Sequence, residues 1–308
     1  MKIVFLDALT MGDTSLDPIA ARGELVCYPT STPTEARARV GDCDVLIVNK
    51  IRVDRALLDA APRLRLICEA ATGVNNIDLD ACAERGIPVR NVAGYSTEPV
   101  VQQTFMHILS LMGNAPYFDD AVKGGAYSRS GLFSDLSRPV RELAGRTLGI
   151  IGMGTIGHRV AAVAEAFGMK VIYYSTSRTS HCTDYPSVSL DVLLVSSDVI
   201  SIHAPLNDRT RGLIGAAELV KMKADALLVN MGRGGIVDEA ALADAIDREA
   251  IGGAATDVFV TEPVPWDNPL LHTRHPERLR FTPHTGWASV EARDRLVARI
   301  AETIEKGW

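Results

Sequence analysis

The chain has 308 residues, which suits two domains of ordinary size, and 47% of them are hydrophobic, which suits an α/β protein with buried parallel strands. The formal net charge of −6 disfavours nucleic acid and anionic membrane surfaces as partners. Five cysteines without a Cys-x-x-Cys pair indicate free, buried thiols in a reducing compartment. The start of the chain does not resemble a signal peptide, and no apolar run is long enough for a membrane span. These features predict a soluble cytoplasmic protein.

The first part of the chain alternates short apolar runs with amphipathic stretches. Strands are predicted at residues 2–6, 25–28, 44–49, 64–68 and 87–90, with helices between them, for example at 54–61 and 78–85. Such alternation is typical of a small parallel sheet covered by helices. This unit is predicted to end near Ser96.

A turn-forming segment, Ala-Thr-Gly-Val-Asn-Asn-Ile-Asp, follows the fourth predicted strand and ends at Asp78. Folds of the α/β class bind ligands at the carboxyl ends of strands, and the backbone N–H groups of Gly73 and Val74 can receive a carboxylate there. An ordinary βα turn is an equally good interpretation of these residues alone.

Residues 97–112 predict a long helix that is apolar on most sides and therefore buried, with Pro99 in its first turn. We interpret His107 within it as a packed histidine rather than a ligand. Residues 113–145 are richer in Gly, Ser, Asp and Arg. We interpret them as an excursion of the kind that packs on a second subunit.

A glycine motif follows this excursion. The apolar run 147–151 predicts a buried strand, and Gly152, Gly154 and Gly157 come next with the spacing G-x-G-x-x-G before an Ala-rich helix. In such a unit the first glycine permits a tight turn, the second lets the backbone approach a pyrophosphate, and the third lets helix and strand pack closely. The helix N-terminus then presents free N–H groups to the phosphates. The motif predicts dinucleotide binding.

Six strands are predicted from this point, at residues 147–151, 170–174, 198–202, 225–230, 252–258 and 279–282. With the helices between them, they match the two mononucleotide-binding halves of a dinucleotide-binding fold. The tail, residues 289–304, predicts an amphipathic helix that packs back on the first unit and makes that domain discontinuous.

The coenzyme is not decided by the end of the second strand of this unit. NAD sites usually place an acid there, about 20 residues after the first glycine, but the chain has Ser175, Thr176, Ser177 and Arg178. The missing carboxylate removes repulsion against a 2′-phosphate, which Arg178 and the hydroxyls can bind. NADP is therefore permitted, while a free ribose bound by hydroxyls, with Arg178 in water, is an equal alternative.

Three chemically active side chains follow three predicted strands of one sheet. Arg233 lies among glycines, Glu262 precedes Pro263, and His284 follows Pro283. Hydride transfer to a 2-keto acid needs a cation that binds the carboxylate and polarises the carbonyl, a proton donor, and a carboxylate that orients that donor. Each residue alone has an ordinary structural interpretation, but the set at one sheet edge predicts this chemistry.

With these residues in hand, the sequence resembles the D-isomer-specific 2-hydroxyacid dehydrogenases over nearly its whole length. The resemblance is carried by the glycine motif and by the segments 71–78, 201–206 with 210–214, 230–238, 257–263 and 283–289. It implies two doubly wound parallel-sheet α/β domains, a Rossmann cofactor domain at 99–285 and a smaller, flavodoxin-like substrate domain at 1–98 plus 286–308. It also implies a homodimer built through the cofactor domains and their protruding arm.

The resemblance also implies roles for individual residues. Arg233 would bind and polarise the substrate, His284 would be the acid/base, and Glu262 would be its partner. Gly73 and Val74 would hold the substrate carboxylate by their backbone, and Asp257 would lie near the nicotinamide carboxamide. The full set expected to line NAD or NADP, beyond the glycines and residues 175–178, is Thr155, Ile156, His203, Ala204, Pro205, Thr210, Met231, Gly232, Asp257 and Gly286.

Within the family, several segments are similar to the glycerate dehydrogenase (hydroxypyruvate reductase) branch. They include Asn49 and Lys50, which join the expected substrate-binding residues, and the segments 94–97 and 174–177. Two departures from the family pattern are Ser175 in place of the usual acid and Gln102-Gln103 in place of a common Glu-His pair. The expected reaction is reduction of hydroxypyruvate or glyoxylate, or its reverse. Because a charged Glu262 favours protonated His284, reduction should fade as pH rises.

Other interpretations remain open at this point. A formate dehydrogenase is disfavoured, because that family pairs its histidine with a glutamine. A nucleotide-sensing, corepressor-like binding protein can reuse the same fold and even the same three residues. No metal site is assigned, since the spacing His272-x-x-His275 lies in a loop without obvious Cys or acid ligands.

Overall fold

The computed structural model describes residues 1–177, 179 and 182–307, and the chain divides into two compact units. Unit 1 comprises Met1–Ser96 and the segment from Ala288 onward, and unit 2 comprises Thr97–Trp287. Each of these boundaries lies two residues from the predicted one. Arg178, one of the predicted coenzyme residues, lies outside the described residues.

Unit 1 contains a five-stranded parallel sheet. Its strands are Lys2–Phe5 (β1), Glu24–Cys27 (β2), Val45–Val48 (β3), Leu66–Glu69 (β4) and Val89–Asn91 (β5). Its helices are Asp17–Ala20 (α1), Pro33–Arg39 (α2), Arg55–Asp59 (α3), Leu79–Glu84 (α4) and the C-terminal helix Val290–Lys306, with a 3₁₀ turn at Ala8–Met11. The strand order is β2-β1-β3-β4-β5, the flavodoxin-like order 2-1-3-4-5.

The composition of these strands explains their positions in the sheet. The strands β3 and β4 are fully buried, as their unbroken apolar runs predict, whereas the edge strand β2 is half-exposed. One residue departs from the apolar pattern, because β4 ends in Glu69, which is completely buried. The predicted strand 64–68 begins two residues too early and stops one residue short of this glutamate.

The C-terminal helix belongs to unit 1. Its apolar face is buried, and Arg295 and Arg299 donate hydrogen bonds to the backbone oxygens of Tyr95 and Ala93. Ser289 caps its N-terminus by accepting from Ala292 N–H.

Unit 2 contains a six-stranded parallel sheet. Its strands are Thr147–Ile151 (β6), Lys170–Tyr174 (β7), Val199–Ile202 (β8), Leu227–Asn230 (β9), Gly253–Thr256 (β10) and Leu279–Phe281 (β11). Its helices are Thr97–Met112 (α5), Ala115–Lys123 (α6), Ala126–Ser130 (α7), Thr155–Ala166 (α8), Leu190–Ser196 (α9), Ala216–Leu219 (α10) and Glu239–Asp247 (α11), with 3₁₀ turns at Pro269–His272 and Pro276–Arg278.

The six strands run in the order β11-β10-β9-β8-β6-β7, and a single bridge from Ser187 to Tyr173 extends the sheet beyond β7. The bridge occupies the place of the third strand in a 3-2-1-4-5-6 arrangement. The bridge was not predicted, because a single paired residue after Pro186 is too short to show an alternating apolar pattern. Two clusters of buried apolar side chains pack on this sheet.

The excursion between α5 and β6 is partly helical, which the sequence analysis missed. Both α6 and α7 contain no buried residue, and the segment after them exposes large apolar side chains, including Phe133 at 96% and Leu136 at 88%. Exposed apolar surface of this size is uncommon on a folded chain.

All five cysteines are free thiols. Cys43, Cys68 and Cys82 are buried as predicted, but Cys27 is exposed and Cys182 is half-buried, so the expectation of uniformly buried thiols is wrong for these two. Within the described part of the chain, every helix is too short or too polar to cross a bilayer.

Candidate active site

The glycine turn after β6 has the geometry that a dinucleotide site requires. Gly152 has φ +96°, and a Cβ there would lie 2.9 Å from the backbone nitrogen of Ala204. Gly157 packs the helix on the strand so closely that a Cβ would lie 2.3 Å from the Gly152 oxygen. Gly154 has open space around it and caps α8 without a side chain, so the first-turn N–H groups of Thr155 and Ile156 face an accessible surface.

A cleft of about 580 Å³ opens beside this turn. It brings together seven of the predicted coenzyme residues, which are Gly152, Gly154, Ser175, Thr176, Ser177, His203 and Pro205. The cleft is also lined by Arg209, which the sequence analysis did not select. The position of Arg209 could have indicated it, because Arg209 lies between the segments 201–206 and 210–214 that carry the family resemblance.

The hydroxyl groups at the end of β7 are organised around one backbone oxygen. The hydroxyls of Ser175 and Ser177 both donate to the Thr179 oxygen, at 2.8 and 3.0 Å. Arg209 Nη1 donates to the Ser177 oxygen at 3.2 Å. A guanidinium therefore lies against the segment where an NAD site would place an acid, while Asp208 lines the same cleft.

His203 is held as a neutral imidazole at the floor of this region. Its Nε2 lies 2.8 Å from the hydroxyl of the fully buried Ser201, and its Nδ1 is buried without a hydrogen-bond partner among the described residues. Burial lowers the pKa of His203 to about 3. An orphaned buried nitrogen of this kind is free to hydrogen-bond a bound molecule.

Two of the predicted coenzyme residues are enclosed by the protein. Thr210 is fully buried, where its hydroxyl donates to the Pro205 oxygen at 2.6 Å and accepts from Asn207 N–H at 2.9 Å. Ala204 is 3% exposed, and its backbone abuts Gly152 and Gly232. Any contribution of these two residues to coenzyme binding is made through the shape of their loop.

The loop that carries Arg233 is built by Asn230 at the end of β9. Asn230 is 4% exposed; its Oδ1 accepts from Gly232 N–H and its Nδ2 donates to the Arg233 oxygen, both at 3.1 Å. The half-buried Arg233 side chain donates from Nη1 to the Gly232 oxygen at 2.7 Å. Gly234 presses on the next loop, because a Cβ there would lie 1.9 Å from the Phe259 oxygen. No other residue type fits at Gly234.

Glu262 and His284 form a hydrogen-bonded pair after the next two strands, β10 and β11. His284 Nδ1 lies 2.6 Å from Glu262 Oε2, and Glu262 Oε1 accepts from Phe259 N–H at 3.0 Å. The two side chains are 21% and 32% exposed, so both reach solvent. Because Phe259 also contacts Gly234, the Arg233 loop, Glu262 and His284 are one packed assembly at the carboxyl edge of the sheet.

Asp257, at the end of β10, holds the loop that presents His284. It is 3% exposed, and its carboxylate accepts from the Thr282 hydroxyl at 2.6 Å and from the N–H groups of Thr285 and Gly286, both at 2.9 Å. Its backbone oxygen accepts from His284 N–H at 2.8 Å, and His284 adopts a left-handed φ of 55°. A conformation so sparsely populated persists only when neighbouring bonds enforce it.

Gly286 and Met231, both predicted to line the coenzyme, complete this support. A Cβ on Gly286 would lie 2.8 Å from Asp257 Oδ2 and 2.9 Å from the Met231 methyl. His107, which is 2% exposed, lies with Nε2 3.0 Å from the Thr282 hydroxyl, and burial lowers its pKa. His107 is packed, as predicted, but its contact with this loop was not predicted, since nothing in its local pattern indicates a partner 175 residues away.

The predicted substrate residues of unit 1 lie at the carboxyl ends of β3 and β4. Asn49 is 3% exposed, and its Nδ2 donates to the Ala70 oxygen at 3.0 Å. The N–H groups of Asn49 and Lys50 donate to the Asp7 carboxylate. Gly73 and Val74 are half-exposed in the turn that follows β4.

Three further histidines in the described part of the chain have other partners. His272 Nε2 lies 2.5 Å from the Trp266 oxygen, and His275 lies between Glu249 and Glu277. Three exposed or half-exposed side chains, those of His158, Cys182 and Asp184, bring possible ligand atoms within 4.8 Å of one another. His158 Nε2 and Asp184 Oδ2 are hydrogen-bonded to each other at 2.9 Å.

The residues present fit a nicotinamide dinucleotide. The open backbone at Gly154 accommodates a pyrophosphate, the cleft beside it has room for an adenosine moiety, and His203 Nδ1 offers a hydrogen bond that the described residues leave unused. The Arg233, Glu262 and His284 assembly follows strands of the same sheet. Fold and site together define an NAD(P)-dependent dehydrogenase.

Comparisons with known proteins agree. The family model for the NAD binding domain of D-isomer specific 2-hydroxyacid dehydrogenases matches residues 105–286. A hydroxypyruvate reductase of Blautia hydrogenotrophica is 34% identical over 313 residues, which cover 99% of this chain and 96% of the relative. The chain belongs to the D-isomer-specific 2-hydroxyacid dehydrogenase family, as its sequence motifs predicted.

Similar solved structures contain nicotinamide coenzymes. A D-lactate dehydrogenase from Aquifex aeolicus, complexed with NAD and lactic acid, superposes with a TM-score of 0.85 at 29% identity, covering 98% of this chain and 94% of the other. An acyclic imino acid reductase in complex with NADPH and D-Arg superposes with a TM-score of 0.86 at 27% identity, covering 99% of this chain and 96% of the other. The predicted fold class and NAD(P) cofactor are confirmed, and the sensor interpretation is disfavoured because these relatives are enzymes.

Proposed function

We propose that this dehydrogenase reduces hydroxypyruvate to D-glycerate or glyoxylate to glycolate. The observation that carries the proposal is the His284–Glu262 pair at 2.6 Å, packed through Phe259 on the loop of Arg233. The similarity to a hydroxypyruvate reductase supports the substrate class. A small anionic keto acid also suits a site that offers the guanidinium of Arg233.

Arg233 is proposed to bind the substrate. Its guanidinium forms a planar fork that can bind a carboxylate and polarise the adjacent carbonyl. The bond from Nη1 to the Gly232 oxygen holds the side chain close to its own loop, so the guanidinium is partly ordered before substrate arrives. Gly73 and Val74 remain the proposed backbone donors to the substrate carboxylate.

His284 is proposed to donate the proton that the reduced carbonyl oxygen needs. With Nδ1 hydrogen-bonded to Glu262, the other ring nitrogen, Nε2, is the one that serves the substrate. The Glu262 carboxylate fixes the orientation of the ring and stabilises its charged form. A bound reduced nicotinamide supplies the hydride in this chemistry, and the residues of the glycine turn and its cleft are proposed to hold it.

The excursion after α5 is proposed to form the contact surface of a homodimer. Its exposed apolar side chains, among them Leu132, Phe133 and Leu136, would otherwise leave a large apolar patch in water. The mass of the particle in solution, measured by light scattering, is expected to be twice that of the chain. Five free thiols support the proposal of a reducing, cytoplasmic location.

Initial rates test the proposed function. Loss of absorbance in the reduced-nicotinamide band is followed with hydroxypyruvate, glyoxylate and pyruvate, each with NADH and NADPH, and Arg233→Ala serves as the blank. Arg37→Ala, at a half-exposed arginine of a helix in unit 1, is the matched control. Turnover that is lost in Arg233→Ala and retained in the control supports the proposal, whereas tight coenzyme binding with no turnover of any keto acid favours the sensor function.

A further inference from the structure

Glu69 is the most deeply buried acidic side chain of unit 1 and has no assigned role. It ends β4, directly before the turn that carries Gly73 and Val74, and it is 0% exposed. Its Oε2 accepts a hydrogen bond from Asn76 Nδ2 at 3.0 Å. Its Oε1 is buried and has no hydrogen-bond partner among the described residues. A carboxylate left in this state is costly, whereas a protonated carboxyl carries no charge.

The charges that face Glu69 come from two neighbouring strand ends. Asp7, which follows β1, is 4% exposed, and its negative charge opposes ionisation of Glu69; Lys50, which follows β3, favours ionisation. Burial is the largest effect, and together these influences raise the pKa of Glu69 to about 8. Burial also raises the pKa of Asp7, but three backbone N–H groups, those of residues 49–51, donate to its carboxylate and oppose that rise.

The turn from Ala70 to Ile77 is tethered at both ends. At its start, Asn49 Nδ2 donates to the Ala70 oxygen at 3.0 Å. At its end, Asn76 Nδ2 donates to the Ile51 oxygen and to Glu69, each at 3.0 Å. Asn76 is therefore the residue through which a change at Glu69 reaches the turn.

We propose that Glu69 is a positioning residue that, as a neutral carboxylic acid, holds Asn76 and with it the Gly73–Val74 turn in the arrangement that receives the carboxylate of the substrate. This inference rests on the proposed function, because it assigns the turn to substrate binding. Ionised Glu69 would place a second negative charge beside Asp7 and behind the turn. That charge would repel an anionic substrate and weaken its binding as pH rises.

The test measures KM and kcat for the better of the two proposed keto acids from pH 6 to pH 9.5 at saturating coenzyme. In the wild type, KM is expected to rise roughly fivefold to tenfold through pH 8. Glu69→Gln keeps the shape and the acceptor of the neutral acid but has no charge to gain, so its KM should stay flat. The kcat profile should be the same in both, because the substitution leaves the proposed proton donor, His284, and its partner Glu262 unchanged.

The exposed Glu24→Gln serves as the matched control and should retain the wild-type KM profile. Asn76→Ala, which removes the tether, should raise KM at every pH. A rise in KM that Glu69→Gln shares with the wild type overturns the inference while the proposed function stands. Absence of turnover in the wild type with either keto acid contradicts the proposed function itself, and with it the role assigned to Glu69.

Discussion

In each of the two sheets, a buried aspartate that follows a strand accepts hydrogen bonds from a neighbouring loop. The two sheets differ in the glutamate that lies near this aspartate. Asp7 accepts three backbone N–H groups from residues 49–51, and Asp257 accepts three donors from residues 282–286. In unit 2 the glutamate, Glu262, reaches solvent and pairs with a histidine. In unit 1 the glutamate, Glu69, is fully buried and pairs only with a neutral amide among the bonds that the structure defines.

The difference shows how surroundings decide what a carboxyl group can do. A partly exposed carboxylate beside His284 can remain charged and stabilise a cation, which suits proton donation. A buried carboxyl beside Asp7 is driven towards its neutral form, which suits a structural hydrogen bond. In our proposals, the same residue type therefore supports the reaction at one sheet edge and the shape of a turn at the other.

The largest expected effect is on the pH dependence of stability, which shows whether Glu69 is protonated in the folded protein. The unfolded chain ionises Glu69 near pH 4.5 and the folded chain near pH 8, so between these values the folded state binds more protons. Stability should therefore fall as pH rises through this window, and Glu69→Gln should remove the part of that fall that Glu69 causes, gaining about 3–5 kcal/mol over the wild type at pH 9. Urea unfolding at pH 5, 7 and 9 measures this; equal slopes of stability against pH in both proteins would mean that Glu69 is not protonated.

A second prediction concerns Arg233, the proposed substrate-binding cation of unit 2. Arg233→Ala should lower kcat/KM roughly 10²–10³-fold, because a charged partner of the substrate is lost. Arg233→Lys should recover only part of this loss, since an ammonium lacks the planar fork. Steady-state kinetics of both variants measure the effect, and full activity of Arg233→Ala would remove the residue from the site.

A third prediction compares the two buried aspartates, Asp7 in unit 1 and Asp257 in unit 2. Asp7→Asn and Asp257→Asn each leave backbone donors facing an amide, and each should lower the free energy of unfolding by about 1–3 kcal/mol. Asp257→Asn should also lower kcat, because it supports the loop of His284, whereas Asp7→Asn should act mainly on KM. Unfolding curves and steady-state kinetics on the same samples measure both quantities, and identical kinetic effects would show that the two edges do not have separate roles.

The smallest expected effect concerns the coenzyme. Arg209 lies against the hydroxyl cluster at residues 175–177, where a 2′-phosphate would add negative charge. Arg209→Ala should raise KM for NADPH roughly tenfold and leave KM for NADH within about twofold. Arg211→Ala, two residues away and exposed, is the matched control. Equal changes for the two coenzymes would indicate that Arg209 does not distinguish them.

Local patterns in the sequence were sufficient for the parts of this account that depend on residue type and spacing. The apolar runs predicted the strands, the glycine spacing predicted the turn after β6, and the order of motifs predicted the family. Long-range polar contacts were not predictable in this way. The link from His107 to Thr282, the burial of Glu69 against Asp7, and the enclosure of Thr210 depend on which segments meet in space. The helices α6 and α7 were not predicted either, because the Gly, Ser, Asp and Arg content of residues 113–145 favoured an irregular segment.

The central claim is that His284, held by Glu262 and by the Asp257 loop, is the proton donor in reduction of a small 2-keto acid. The most direct test is single-turnover reduction of hydroxypyruvate by wild type and His284→Gln, with coenzyme binding measured on the same samples. The account predicts that coenzyme binding is unchanged and that reduction slows by roughly 10²–10⁴-fold. Reduction by His284→Gln at the wild-type rate would contradict it.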